Sequence, residues 1–133
     1  MATIKKFEDL EIWQRARSLC RKVYPLTLRA PISKEYRLAD QMKGSSGSAM
    51  DNIAEGFDRG SRLEFINSLG TARGETGELK SQLYRCLDNN FINQQLFDDL
   101  YKEADELIRK ISAFIDYLNK TSIKGQKFKD RKK

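Results

Sequence analysis

The segment FDDLYKEADELIRKISAFIDYL, residues 97–118, decides the fold. In it Phe97, Leu100, Ala104, Leu107, Ile111, Phe114 and Leu118 alternate steps of 3 and 4 without a break, the spacing that lines one face of an α-helix. Tyr101, Ile108 and Ile115 each sit one position further on, giving three apolar positions per heptad. That width suits the core of a globular bundle better than the narrow seam of a two-stranded coiled coil. Asn93, a favoured N-cap residue, marks where the helix begins.

Outward from this segment, three further stretches carry the same period and none carries convincing strand alternation. Immediately upstream, Ser61-Arg62-Leu63-Glu64 has the capping-box pattern, with Ser61 capping and Glu64 reaching back. Phe65, Leu69, Ala72, Thr76, Leu79, Leu83 and Cys86 form the stripe that follows. Before it, after Pro31, Met42, Ser46, Ala49, Ile53 and Gly56 share one face. The run Gly44-Ser45-Ser46-Gly47-Ser48 is poor helix material, each glycine costing roughly 1 kcal/mol relative to alanine. The stripe nevertheless resumes in phase at Ala49, so the spacing predicts one unbroken helix whose small residues allow close helix packing. The first stretch holds Ile12, Ala16, Leu19, Val23 and Leu26, flanked by Trp13 and Cys20. Pro25 lies inside it, lacks an N–H and is expected to kink or end the helix. Connections near 29–33, 58–61 and 90–93 are short enough to force antiparallel neighbours. The expectation is an all-α, up-down-up-down four-helix bundle over residues 1–120, with a flexible basic tail at 121–133.

The 133 residues suffice for one domain and contain no histidine. No Ser-His-Asp or Cys-His arrangement can form, and the side chain best suited to proton transfer near neutrality is missing. We therefore expect no enzyme, no catalytic residue and no cofactor. Two cysteines, Cys20 and Cys86, cannot make a zinc site without several carboxylates and read as small buried apolar residues. Di-iron bundles use Glu-x-x-His, which this chain cannot supply, so Glu75, Glu78 and the acidic run Asp98, Asp99, Glu103, Asp105 and Glu106 read as a solvated face, not as a metal site. Gly44, Gly47, Gly70, Gly74 and Gly77 lack the strand and sequence context of a phosphate loop and read as close-packing positions. No stretch is long and apolar enough for a membrane span, and two cysteines far apart are not a secreted disulfide framework, so a cytoplasmic protein without membrane contact is expected.

The net charge is +6. Residues 121–133 hold Lys124, Lys127, Lys129, Arg131, Lys132 and Lys133 against Asp130, while residues 1–120 balance nineteen Lys/Arg against eighteen carboxylates. The positive charge reads as a tail, and six cations on it can neutralise about six phosphates. Phe128 is placed to stack on a base, and Arg37, Lys43, Arg59 and Arg62 extend the basic surface. Gln41, Ser48, Asn52 and Glu55 line one side of the second helix, where spacing favours mutual polar satisfaction over a recognition surface.

Several of these residues carry a resemblance. Phe7-x-x-Leu10-x-x-Trp13-Gln14-x-Ala16 opens it; Leu38-x-x-Gln41 and Ser48-x-x-x-Asn52-Ile53-Ala54-Glu55-Gly56-x-x-Arg59 form its centre; Glu64-Phe65, Ala72 and Glu78-Leu79 continue it. Over residues 7–120 the chain resembles the bacterial four-helix-bundle family of 23S rRNA intervening-sequence proteins. The resemblance implies a ring-like homopentamer without established enzymatic activity. It also implies kinship to the accessory variability determinants of diversity-generating retroelements, which bind a reverse transcriptase and nucleic acid. Trp13, Gln41, Ser48, Asn52, Glu55 and Gly56 are then family-motif structural positions. The expected function is a homo-oligomeric scaffold that binds RNA or DNA, accessory to an RNA-directed process such as reverse transcription. The alternative is a protein-interaction module docking a reverse transcriptase or another partner, its tail only solubilising.

Overall fold

The computed structural model describes residues 4–124, and among them no strand occurs. Four helices follow in order: α1 Glu11–Thr27, α2 Tyr36–Asp58, α3 Arg62–Asp88 and α4 Gln94–Lys124. Single turns of 3-10 helix precede α1 (Phe7–Asp9) and α2 (Ile32–Lys34). Cross-helix pairs fix the directions. Gln41 meets Arg85 and Ser45 meets Gln82, Lys80 meets Asp105 and Arg73 meets Ser112, and Arg15 meets Glu106 while Lys22 meets Glu103. In each pair one number rises as the other falls, so α2, α3, α4 and α1 run antiparallel to their neighbours as expected.

The apolar stripes converge on one core, with Met42, Ile53, Phe65, Leu69, Leu83, Leu107 and Ile111 fully buried. Toward the end of α4 the buried residue is Ile115, and Phe114 is only partly covered. The stripe is restored one turn later, where Leu118 is buried as expected. α2 is continuous through Gly44–Ser48, its serines tied to their own backbone by Ser46 Oγ donating to the Met42 carbonyl at 2.8 Å. Ser45 and Gln82, both almost wholly buried, meet across α2 and α3 with the hydroxyl donating to Gln82 Oε1 at 2.7 Å.

Of the six helical glycines among the described residues, close packing holds at Gly56 alone. A Cβ on Gly56 would stand 2.5 Å from Ser68 Cβ, so α2 and α3 touch there. At Gly44, Gly47, Gly70, Gly74 and Gly77 nothing lies within 4 Å of where a Cβ would be. The close-packing expectation fails for these five because they sit off the buried stripes.

Ends follow local chemistry. α1 runs two residues past Pro25, and the Leu28 N–H donates to Pro25 O while Thr27 Oγ1 donates to the Tyr24 carbonyl at 2.6 Å. Ser61 Oγ accepts from the Glu64 N–H, and the Asn93 side chain accepts from the Leu96 N–H at 2.8 Å. Gly60 follows α2 at φ 78°. Asn90 follows α3 at φ 61°, with Phe91 N–H reaching Cys86 O and Asn90 N–H reaching Leu87 O. That is the paired closure in which a left-handed residue satisfies the last carbonyls. α4 extends through Lys124, four residues beyond the expected boundary of the bundle at 120; no Gly or Pro intervenes before Gly125.

Candidate nucleic-acid interface

Among the described residues the ion pairs gather on the seams of α4. Lys22 meets Glu103, Arg15 lies 3.5 Å from Glu106, Lys110 lies 3.3 Å from Glu11, and Asp105 holds both Lys80 and Arg109. Of the α4 carboxylates expected to form a solvated face, Glu103, Asp105 and Glu106 instead stitch that helix to α1 and α3, because the antiparallel neighbours set Lys22, Lys80 and Arg15 opposite them. Asp98 and Asp99 stay exposed as expected and accept from Gln94 and Gln95 of their own helix. Partly exposed pairs of this kind contribute about 0–1 kcal/mol each. Hydrogen bonding to Arg15 holds the Glu11 carboxyl below its ordinary value, and the bond to Lys80 does the same for Asp105. Burial, with Glu78 adjacent, pushes the Glu75 carboxyl up.

Cations without an ion pair among the described residues include Lys5 and Lys6 near the start and Lys102 and Lys120 on α4, but the largest group lies elsewhere. Arg17, Arg21, Arg29, Lys34, Arg37 and Lys43 make no ion pair among the described residues. All six fall in residues 12–50, where eight Lys/Arg face only Glu35 and Asp40, whereas residues 1–11 and 51–120 hold eleven Lys/Arg against sixteen carboxylates. The body is near neutral only in sum: residues 12–50 carry a net +6 and the remainder of 1–120 a net −5.

Aromatic rings accompany the basic half. The Arg17 guanidinium stands 5.7 Å from the Trp13 ring centroid, and Lys43 Nζ stands 5.5 Å from that of Tyr24. Tyr24 is 44% exposed and Tyr36 79%. Gln14, Arg17, Ser18, Arg21 and Lys22 border a shallow depression of about 420 Å³ on the outer side of α1.

The residues expected at the interface divide accordingly. Arg37 is exposed at the start of α2, and Lys43 lies two turns on, half-buried against Tyr24. Arg59 is engaged by Glu55 at 2.8 Å and by Glu64 at 3.7 Å, and Arg62 is buried at 8% exposure. Arg59 stands about 24 Å along the α2 axis from Lys43, so the four do not form one patch. Of the tail, Lys124 closes α4, and Lys127, Phe128, Lys129, Arg131, Lys132 and Lys133 lie outside the described residues.

The motif positions are structural in their contacts. Trp13 packs edge-on to Phe7 at 5.1 Å. Gln41 Oε1 accepts from Arg85 across the α2–α3 seam, and Asn52 donates back to Ser48. Glu55 engages Arg59, and Gly56 is the close-contact glycine. Sequence reasoning missed Arg17, Arg21, Tyr24 and Tyr36. The signal that finds them is the charge summed by helix, since adding basic α1 to acidic α4 conceals both.

The family model for 23S rRNA-intervening sequence protein matches residues 8–113. No curated protein sequence matches the chain. Among solved structures, the fold is similar to a protein of unknown function from the S23 ribosomal protein family of Bacteroides thetaiotaomicron, with TM-score 0.73 and 20% identity. The match covers 79% of this chain and 95% of that one. No helix among the described residues is long and apolar enough to cross a membrane.

Proposed function

The chain belongs to the 23S rRNA-intervening sequence protein family, and from that premise we propose a non-enzymatic, homo-oligomeric scaffold that binds RNA. In this reading it acts in the cytoplasm as an accessory to an RNA-directed process, with retroelement reverse transcription as the model. The observation that carries it is the segregation of charge: six cations without carboxylate partners fall within residues 12–50, and six more lie in residues 121–133. Such a surface supplies the salt-dependent, sequence-independent attraction that dominates binding to a phosphate backbone. The lack of histidine supports a binding role over a catalytic one. The bare helix faces at Gly44, Gly47, Gly70, Gly74 and Gly77 leave room for a second copy, as the implied homopentamer requires.

The experiment is RNA affinity across a salt series for the full chain and for a truncation after Lys124. The full chain is expected to show the steeper dependence, the five cations beyond Lys124 adding a slope of roughly −3.5 to −4.5 per tail. Equal slopes remove the tail from the mechanism, and no salt-dependent binding by the full chain refutes the reading. Sedimentation tests the oligomer, a monomer counting against it, and copurification with a reverse transcriptase encoded nearby tests the accessory role.

A further inference from the structure

Resting on that reading, the geometry points to a defined surface and a defined ligand: the α1/α2 face around Arg17, Arg21, Tyr24, Tyr36 and Lys43 is a platform for unpaired RNA.

The cations have the required periodicity. Arg17 and Arg21 are one turn apart on α1, about 6 Å along the axis, and Lys43 answers them from α2. Arg37 and Lys34 continue the basic surface around the start of α2. None of these five is neutralised by an ion pair among the described residues, so each remains available to a phosphate.

The rings decide between paired and unpaired strands. Tyr36 and Lys43 are two turns apart on one face of α2, about 10 Å along the axis, and Tyr24 reaches Lys43 from α1. Two exposed tyrosines therefore share one strip with cations, Tyr36 at one end and Tyr24 beside Lys43, with Arg21 and Arg17 beyond. One turn beyond Lys43, Gly47 presents no side chain and nothing stands over it within 4 Å, so the α2 side of the strip is low enough for a flat ring to settle. A duplex offers this strip its phosphates but keeps its base faces stacked inside, whereas an unpaired strand offers both phosphates and π-faces. On this face of α2 stand two exposed carboxylates, Asp40 one turn after Tyr36 and Asp51 one turn after Gly47, against the five cations above.

The test uses the full chain, fluorescence anisotropy, a 20-nucleotide unstructured RNA and the same RNA annealed to its complement. Tyr24→Ala with Tyr36→Ala is expected to weaken the single strand about 10-fold and the duplex less than about 2-fold, in line with the worth of base–aromatic stacking. Arg17→Gln with Arg21→Gln is expected to weaken both and to lower the salt slope by about 1.5. Lys102→Gln with Lys120→Gln on α4 removes the same charge elsewhere and is the comparison; circular dichroism confirms that every variant is folded. An unchanged ratio of single strand to duplex in the tyrosine variant overturns the stacking platform. An arginine variant no weaker than the α4 variant overturns the surface while leaving RNA binding by the tail intact. A wild-type chain that binds neither RNA at low salt overturns the function itself.

Discussion

Replacing Gly56 with alanine isolates the one place where the bundle depends on an absent side chain. The new Cβ would stand 2.5 Å from Ser68 Cβ, 2.9 Å from Ser68 Oγ and 3.1 Å from Phe65 Cδ1. Ser68 Oγ can rotate away, but its Cβ is fixed to the α3 backbone, and ordinary contact begins near 3.4 Å. The helices must therefore part by roughly 1 Å at this level, disturbing Phe65 and its edge-on contacts with Phe57 and Phe114. Overpacking of this kind costs about 1–3 kcal/mol, against about 0.5–1 kcal/mol that alanine gains over glycine inside a helix. The net destabilisation is about 0.5–2 kcal/mol. At roughly 3–5 °C per kcal/mol for a chain of this size, the thermal midpoint falls by about 2–10 °C. Gly44→Ala and Gly47→Ala provide the internal reference, because their Cβ atoms enter open space and the same propensity gain raises the midpoint by a few degrees each. Thermal unfolding followed by circular dichroism, repeated in urea, reads all three. A Gly56→Ala protein as stable as the parent would refute the close approach of α2 and α3 at Ser68.

Other perturbations test separate parts of the structure. Gly60→Ala forces a Cβ into the left-handed region at φ 78° and should cost about 1–2 kcal/mol in urea unfolding, whereas Asn90→Gly, at φ 61°, should be neutral or stabilising. Glu11 and Asp105 titrate below the ordinary carboxylate range when folded, so their stabilisation is present above about pH 4 and lost as the pH falls through the lowered values. Glu75 is raised, so its share runs the other way, present below the ordinary value and lost as the pH rises through the raised one. With two lowered groups against one, the thermal midpoint should drop on acidification below about pH 4; a flat profile contradicts the seam. Burial pushes the Cys86 thiol up to about 11, and the residue is fully covered, so an alkylating reagent at neutral pH should modify half-buried Cys20 and leave Cys86 intact until unfolding; equal rates refute the burial.

The helices and their order were legible because each stripe repeats at a helical period and each is bounded by Ser61, Asn93 or Pro25. Continuity through Gly44–Ser48 was legible from phase alone, since the apolar positions on either side count through it without a slip. What phase cannot reveal is what stands opposite a residue. Glycines at 44, 47, 70, 74 and 77 look no different in sequence from Gly56, yet of these six only Gly56 faces side chains of a neighbouring helix at close range. The α4 carboxylates likewise looked solvated because their partners, Lys22 and Lys80, lie far away in the chain. The interface was half legible: Arg37 and Lys43 stand on the basic side, while Arg59 and Arg62 drop out because Glu55, Glu64 and burial claim them.

The buried bond between Ser45 and Gln82 has a consequence for alignment. Apolar contact between α2 and α3 is tolerant, because sliding one helix along the other by a turn, about 5.4 Å, lets Met42, Leu79 and Leu83 find other apolar neighbours. The Gln82 amide has no such second choice, although the Ser45 hydroxyl can fall back on the Met42 carbonyl of its own helix at 3.4 Å. Slid apart, the amide would be left unsatisfied among hydrocarbons at about 1–3 kcal/mol. The apolar layer thus sets how strongly the helices hold, while this buried pair joins the Gly56–Ser68 contact and the Gln41–Arg85 bond in setting which turn meets which. Replacing both with apolar residues of matching volume would leave a bundle that holds as tightly but discriminates its own register less sharply.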